Sequence, residues 1–334
     1  MKDQFSEIIG EFLQPISSLE HVTDSLYLLR KGDSFVYTYG YCHPPGGLWG
    51  MIIYYPDSPG ITKIFGREYG CTVKALVDGE LTLLPYLQKY ENQFKADPGL
   101  DPNAPRPIFA KYRVEFPLSD FNGYFDDRVS IRLAMERYPF VKKVITSVQK
   151  LLDVPIERLG VTGSLCYGKL EEDDIDLIFY GTVEENMEIV AKIRRLTRQG
   201  AKTEVFEYGK HWPIRFFNEG ILICSFFKYS KRDEIPLLDF TMDLVRAGVS
   251  FMGRVTDDRH GVYTPLILEL GDLEIDGASS KPMPVIIYDG SKRGEFVVGD
   301  SIGGTGQLVE VKERGKSYRA LLIADKKELS DIPS

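Results

Sequence analysis

The sequence predicts an α/β protein in three parts: a central mixed sheet with helices, preceded by a β-rich segment and followed by a small β-barrel. Three observations predict it. Tyr, Val, Ile and Leu runs broken by Gly, Pro and Asp fill the first hundred residues. Two stretches of helical periodicity then alternate with short apolar runs. From about Phe251, short strand-like runs recur between Asp-Gly, Gly-Asp and Gly-Gly turns. These changes of pattern place the boundaries at 1–110, 111–248 and 249–334. A chain of 334 residues, 43% of them hydrophobic, can fill two or three cores.

In the first part, Ser25 to Leu29, Ser34 to Tyr41 and Leu48 to Tyr55 read as strands. His43-Pro44-Pro45-Gly46-Gly47 is then a hairpin loop, in which His43 is either a functional group or a structural turn residue. The segment Asp97 to Pro107 carries four prolines and can continue neither a helix nor a central strand, so it is a linker or a long ordered loop.

In the central part, Val141, Val144, Ile145, Val148, Leu151 and Leu152 form one helical stripe between Pro139 and Pro155. Leu159-Gly160-Val161-Thr162 reads as a strand running into Gly163-Ser164, where a helix would present backbone N–H groups to an anion, joined by the Ser164 hydroxyl. Asp174-Ile175-Asp176-Leu177-Ile178-Phe179 is the next strand. Residues two apart in a strand share a face, roughly 7 Å apart, so Asp174 and Asp176 can converge on divalent cations while Ile175, Leu177 and Phe179 enter a core. A carboxylate at Asp176, between Ile175 and Leu177, is costly to bury without a cation. The plain alternative is that Glu171, Glu172, Asp173, Asp174 and Asp176 form an acidic turn leading into an ordinary strand. Thr182-Val183-Glu184-Glu185 is a capping box. It opens a helix that buries Val183, Met187, Val190, Ile193 and Leu196 and ends at Gly200. Lys202 to Tyr208, Trp212 to Phe217 and Ile221 to Phe227 follow as strands, the last two joined by Asn218-Glu219-Gly220.

The run Gly163-Ser164-Leu165-Cys166-Tyr167-Gly168, followed by Asp174-Ile175-Asp176, resembles the signature of the nucleotidyltransferase superfamily. That is the fold of DNA polymerase beta, CCA-adding enzymes and aminoglycoside nucleotidyltransferases. The likeness is tight only from Gly163 to Asp176. It implies a nucleotidyltransferase-like central sheet in which Gly163, Ser164 and Gly168 hold a nucleoside triphosphate such as ATP. Asp174 and Asp176 would be catalytic and hold Mg²⁺ or Mn²⁺. More loosely, the chain looks like predicted prokaryotic, mostly archaeal, nucleotidyltransferases with a Gly-Tyr-x-His-Pro-Pro segment, here Gly40 to Pro45; that likeness supplies no substrate. The family's third carboxylate usually lies on a neighbouring strand, and none lies within Ile221 to Phe227. Glu204 is the best substitute and Glu207 the next, the alternative being that each is a solvent-facing strand residue. The implied activity is metal-dependent transfer of a nucleotidyl group to an unknown acceptor. A non-catalytic nucleotide-binding or regulatory protein and an RNA-associated factor stay open.

Lys192, Arg194, Arg195, Arg198 and Lys202 gather at a helix C-terminus, where cations usually face water; the sharper alternative is contact with a triphosphate or polynucleotide. Lys210, His211, Arg215 and Lys228 are further candidates, with Lys228 the one assigned to the triphosphate. A net charge of −8 argues against binding duplex DNA and leaves RNA weakly supported. In the last part Val262 to Leu270, Pro284 to Tyr288, Glu295 to Val298, Gln307 to Val311 and Ser317 to Ile323 read as strands of an OB-like barrel. From residue 250 onward, 11 Lys and Arg against 14 Asp and Glu leave it at −3, which weakens a nucleic-acid role; it would cover the active site or form a homodimer. Gly299 to Gly306 lies between strands, so it is no dinucleotide fingerprint. Four scattered cysteines suggest reduced thiols, no apolar run is long enough for a membrane, and the acidic N-terminus is no signal peptide, so a cytoplasmic protein is expected.

Overall fold

The computed structural model of the chain describes residues 3–171, 173–198 and 204–324, and the backbone of 329–330. It is a mixed α/β protein in which strands predominate. The first unit is a curled antiparallel sheet. Its order is Leu13–Gln14, Phe121–Phe125, Tyr27–Arg30, Phe35–Thr38, Gly47–Pro56, Arg67–Cys71 and Thr62–Ile64, with Val114–Pro117 also paired to Gly47–Pro56. The boundary expected at 110 therefore falls inside this unit, because two strands that follow the proline-rich segment return to it. That segment is a loop after the helix Tyr86–Ala96, and Arg30, itself paired with Asp120, ties it down through an ion pair to Asp97. The 43–47 segment does connect two paired strands. His43 Nδ1 accepts there from the Trp49 N–H at 3.2 Å, its Nε2 is buried without a hydrogen-bond partner among the described residues, and burial, with Arg113 nearby, pushes the imidazole down to about 3.

The central sheet runs Leu159–Val161, Asp174–Gly181, Ile221–Tyr229, Arg215–Asn218; only the middle pair is parallel. Glu219 (φ 52°) and Gly220 (φ 82°) make the expected hairpin turn between the last two. The helix Pro139–Leu152 buries Val141, Val144, Ile145, Val148 and Leu152, the stripe read from the sequence. The helix Val183–Arg198 starts on the capping box: Thr182 Oγ1 accepts from Glu185 N–H at 3.2 Å, and Glu185 Oε2 accepts from Thr182 N–H at 2.7 Å. Its expected end at Gly200 lies outside the described residues, as does the start of the strand expected at Lys202. A helix at Asp127–Arg137, capped by Asp126, joins them. Ile175, Leu177, Phe179, Ile223 and Phe227 share one core with the apolar faces of these helices and with Phe5, Ile8, Ile9 and Phe12 of the helix Gln4–Phe12.

In the last unit, Phe240–His260 pairs with Leu266–Ile275 and Ser301–Glu313, while Met283–Ile287 and Lys316–Ile323 link those two, so the pairings return to the first strand. The long first strand begins before residue 249, ahead of the expected boundary. Glu295 to Val298 is not a strand; it follows a short turn at Gly290–Lys292, where Lys292 bonds Glu295 at 2.5 Å. Among the described residues no helix is long and apolar enough to cross a membrane.

Candidate functional site

Alternation along Asp174–Gly181 places Asp174, Asp176, Ile178 and Tyr180 on one face and the helix-packed apolar residues on the other. The parallel register sets Cys224 beside Asp176, and Arg215 lies beside Cys224 on the edge strand. One ligand atom from each of Asp174, Asp176 and Cys224 lies within 4.8 Å of the others, and Glu171, Asp173 and Asp174 form a second such group.

The Gly163 turn abuts these carboxylates. Thr162 N–H donates to the Asp176 carbonyl at 2.9 Å. Gly163 has φ +64°, and a Cβ there would collide with Asp176 Oδ2, so position 163 needs glycine for both conformation and space. The helix expected after it is a five-residue 3₁₀ turn, Gly163–Tyr167, too short to sum a macrodipole. Ser164 is part-buried in this turn. Gly168 closes it at φ +84°; a Cβ there would press on Ile8 and Phe12, and its carbonyl accepts from Tyr138 OH at 2.7 Å. Its place is structural, facing the first helix.

Burial, then Asp176, Asp173 and Glu171, holds the Asp174 carboxyl up to about 7, against the pull of Lys74. Burial likewise raises Asp176, opposed by Arg215, Lys74 and Arg293. The same burial, then Asp176, pushes the Cys224 thiol well up. Burial is the main cause at all three groups; crowding by neighbouring carboxylates adds to it at Asp174, and the nearby cations only partly offset it. The carboxylate oxygens suit a hard divalent cation; the thiol suits a softer one.

Two of the cations that act on Asp176 come from outside the central unit. Lys74 begins the hairpin strand Lys74–Val77 of the first unit, and Arg293 follows the Gly290–Lys292 turn of the last. Arg293 packs on Phe226 at 4.3 Å and lies 3.8 Å from buried Asp24. Thr162 Oγ1 also donates to the Ser25 carbonyl at 2.8 Å, so the site sits where all three units meet. No local motif marks Lys74, Arg293 or Cys224; each depends on long-range packing, except that strand alternation and a parallel pairing would have found Cys224.

Glu204 is exposed and outside both ligand groups. Glu204 and Val205 lie outside any strand, and the hairpin that begins at Phe206 turns at once from Phe206–Glu207 to Lys210–His211. Glu207 is taken by an ion pair with Arg215. Lys228 is also engaged: it is buried, with Nζ 2.6 Å from Asp127 Oδ2 and 2.9 Å from Thr23 Oγ1. The helix that carries Arg194 packs on the face of the sheet opposite the aspartates; Arg194 donates to the Gly294 carbonyl at 2.9 Å and lies 3.8 Å from Asp258. Lys192 caps the Leu152 carbonyl at 2.7 Å. His211 lies against Phe206, ring centroids 5.1 Å apart.

Between the hairpin Lys74–Leu83 and the hairpin Phe206–His211 opens a cavity of about 1050 Å³, which neither aspartate lines. Tyr208, Glu207, Lys210, Trp212, Tyr86 and Asp289 are among its walls. Glu207 links it to the site through Arg215.

No protein-family model matches the chain, and neither does any curated protein or solved structure.

Proposed function

We propose that the protein binds a nucleoside triphosphate through a divalent cation held by Asp174 and Asp176, in a nucleotidyltransferase-like site whose transfer activity is weak. The observation that carries this reading is the convergence of Asp174, Asp176 and Cys224 on one sheet face against the Gly163 turn. A bound cation would neutralise phosphate charge and lower the pKa of an attacking hydroxyl. The chain's own part is to hold both carboxylates on a rigid strand with their outer atoms clear of a side chain at position 163. Lys74, Arg215 and Arg293 supply positive potential beside them. The Gly163–Ser164 turn would offer backbone N–H groups to phosphate oxygens.

The reading favours binding over turnover because a neutral thiol stands where a third carboxylate would complete a two-metal site, and Glu204 lies in solvent. Full nucleotidyl transfer is the second reading, favoured by the cavity between the two hairpins, which has room for an acceptor. The RNA reading stays separate from this site: Arg194 is engaged by the Gly294 carbonyl and Asp258, while Arg195 and Arg198 are exposed on a helix across the sheet from the aspartates. The closed pairing of the last unit fits an OB-like barrel whose Arg293 helps cover the site.

The test is equilibrium binding of ATP, GTP, CTP and UTP with Mg²⁺ or Mn²⁺, together with pyrophosphate release. Cation-dependent binding of at least one triphosphate with slow release supports the proposal. Binding unaffected by chelation contradicts it, and rapid pyrophosphate release selects the second reading.

A further inference from the structure

The cavity between the two hairpins carries chemistry that the metal reading does not use. Asp289 lies in its wall with no exposed surface. Its Oδ1 accepts from Tyr86 OH at 3.1 Å and from Ser291 N–H at 2.9 Å, and both partners line the same cavity. Its Oδ2 has no hydrogen-bond partner among the described residues. A buried carboxylate oxygen without a donor is costly, and a ligand N–H would relieve that cost.

The mouth is apolar. Tyr208 on one hairpin and Leu81 on the other are each 47% exposed, and both line the cavity. Leu76, Val77 and Phe206 extend this exposed apolar surface over the two hairpins. Trp212 forms a fixed wall: its Nε1 donates to the Glu207 carbonyl at 3.1 Å, and its ring is held against Arg215. Exposed apolar groups around a concave site with one unsatisfied polar atom describe a ligand pocket.

We propose that this cavity binds a flat heteroaromatic ring bearing an amino group, with the amino N–H donating to Asp289 and the ring lying between Tyr208 and Leu81. The ring belongs to a second substrate or to the base of the triphosphate; the chemistry of the pocket is the same for both. The inference stands apart from the metal reading, because none of its residues is a metal ligand.

The probes are adenosine, guanosine and cytidine, titrated calorimetrically into the full-length protein in EDTA. At least one should bind, and Asp289→Asn should weaken it about tenfold or more, since the amide would present its N–H₂ to the ligand's donor. If adenosine is the one that binds, purine riboside, which lacks the amino group, should bind the unaltered protein more weakly by a similar factor. Tyr208→Ala, a change at an exposed position, should also weaken binding. Asp174→Asn with Asp176→Asn should leave nucleoside binding unchanged, whatever becomes of metal-dependent triphosphate binding. Competition between the nucleoside and a metal-bound triphosphate assigns the ring to the triphosphate; simultaneous binding assigns it to a second substrate. The proposal is overturned if no nucleoside binds. It is equally overturned if removing the amino group or altering Asp289 and Tyr208 leaves affinity unchanged.

Discussion

Asp176 stands directly beside Cys224 in the parallel register of the central sheet, so a thiol occupies the neighbouring-strand position from which a third carboxylate would reach a shared cation. In the proposed function this one residue separates binding from turnover. Cys224→Asp should therefore raise cation-dependent pyrophosphate release, by about tenfold or more if it lowers the barrier by even 1.4 kcal/mol. Release that stays at the unaltered level while triphosphate still binds would show that the third position is not what limits transfer.

The Asp174 carboxyl, held up to about 7, gives a pH signature. Unfolded, it titrates near 3.9, so between about pH 4 and 7 the native chain keeps a proton that the unfolded chain has lost. Its contribution to stability is present at low pH and is lost as pH rises through 7. In EDTA, Asp174→Asn should remove that loss and raise stability at pH 8 by up to about 4 kcal/mol, about three pKa units at about 1.4 kcal/mol each. Thermal melts at pH 5 and pH 8 read the difference; an identical pH dependence in the variant would refute the assignment.

Gly163→Ala combines a left-handed φ with a collision at Asp176 Oδ2. It should cost about 1–3 kcal/mol in denaturant unfolding and remove cation-dependent triphosphate binding, because the turn or the carboxylate must shift. A variant that binds normally would mean the turn plays no part in the site.

Lys228 and Asp127 form a buried pair, their side chains 1% and 8% exposed. Lys228→Met should destabilise by about 3–5 kcal/mol by leaving Asp127 without its cation. Where the variant stays folded, triphosphate affinity should hold. A selective loss of affinity at full stability would return Lys228 to the phosphate-binding role that its sequence position suggests.

Much of the central unit was legible because its signals are local. Alternation at 174–179, the stripe at 141–152, the Thr182–Glu185 box and the Glu219-Gly220 turn each act within a few residues. The unit boundaries were misplaced because Val114–Pro117 and Phe121–Phe125 take their partners from strands about 65 to 110 residues earlier in the chain, which no window contains. Glu204 was expected in the site because it sits in a strand-like run, but the run breaks into a two-residue hairpin and leaves it exposed. Lys74, Arg293 and Asp289 gather only through the packing of the three units.

The central claim is that Asp174 and Asp176 hold a cation that binds a triphosphate. The most direct test is the thermal shift produced by ATP or GTP with Mg²⁺ or Mn²⁺, in the unaltered protein and in the variant carrying Asp174→Asn and Asp176→Asn. The account predicts a cation-dependent shift in the unaltered protein and none in the folded double variant. An equal shift in both proteins, or none in either, would contradict it.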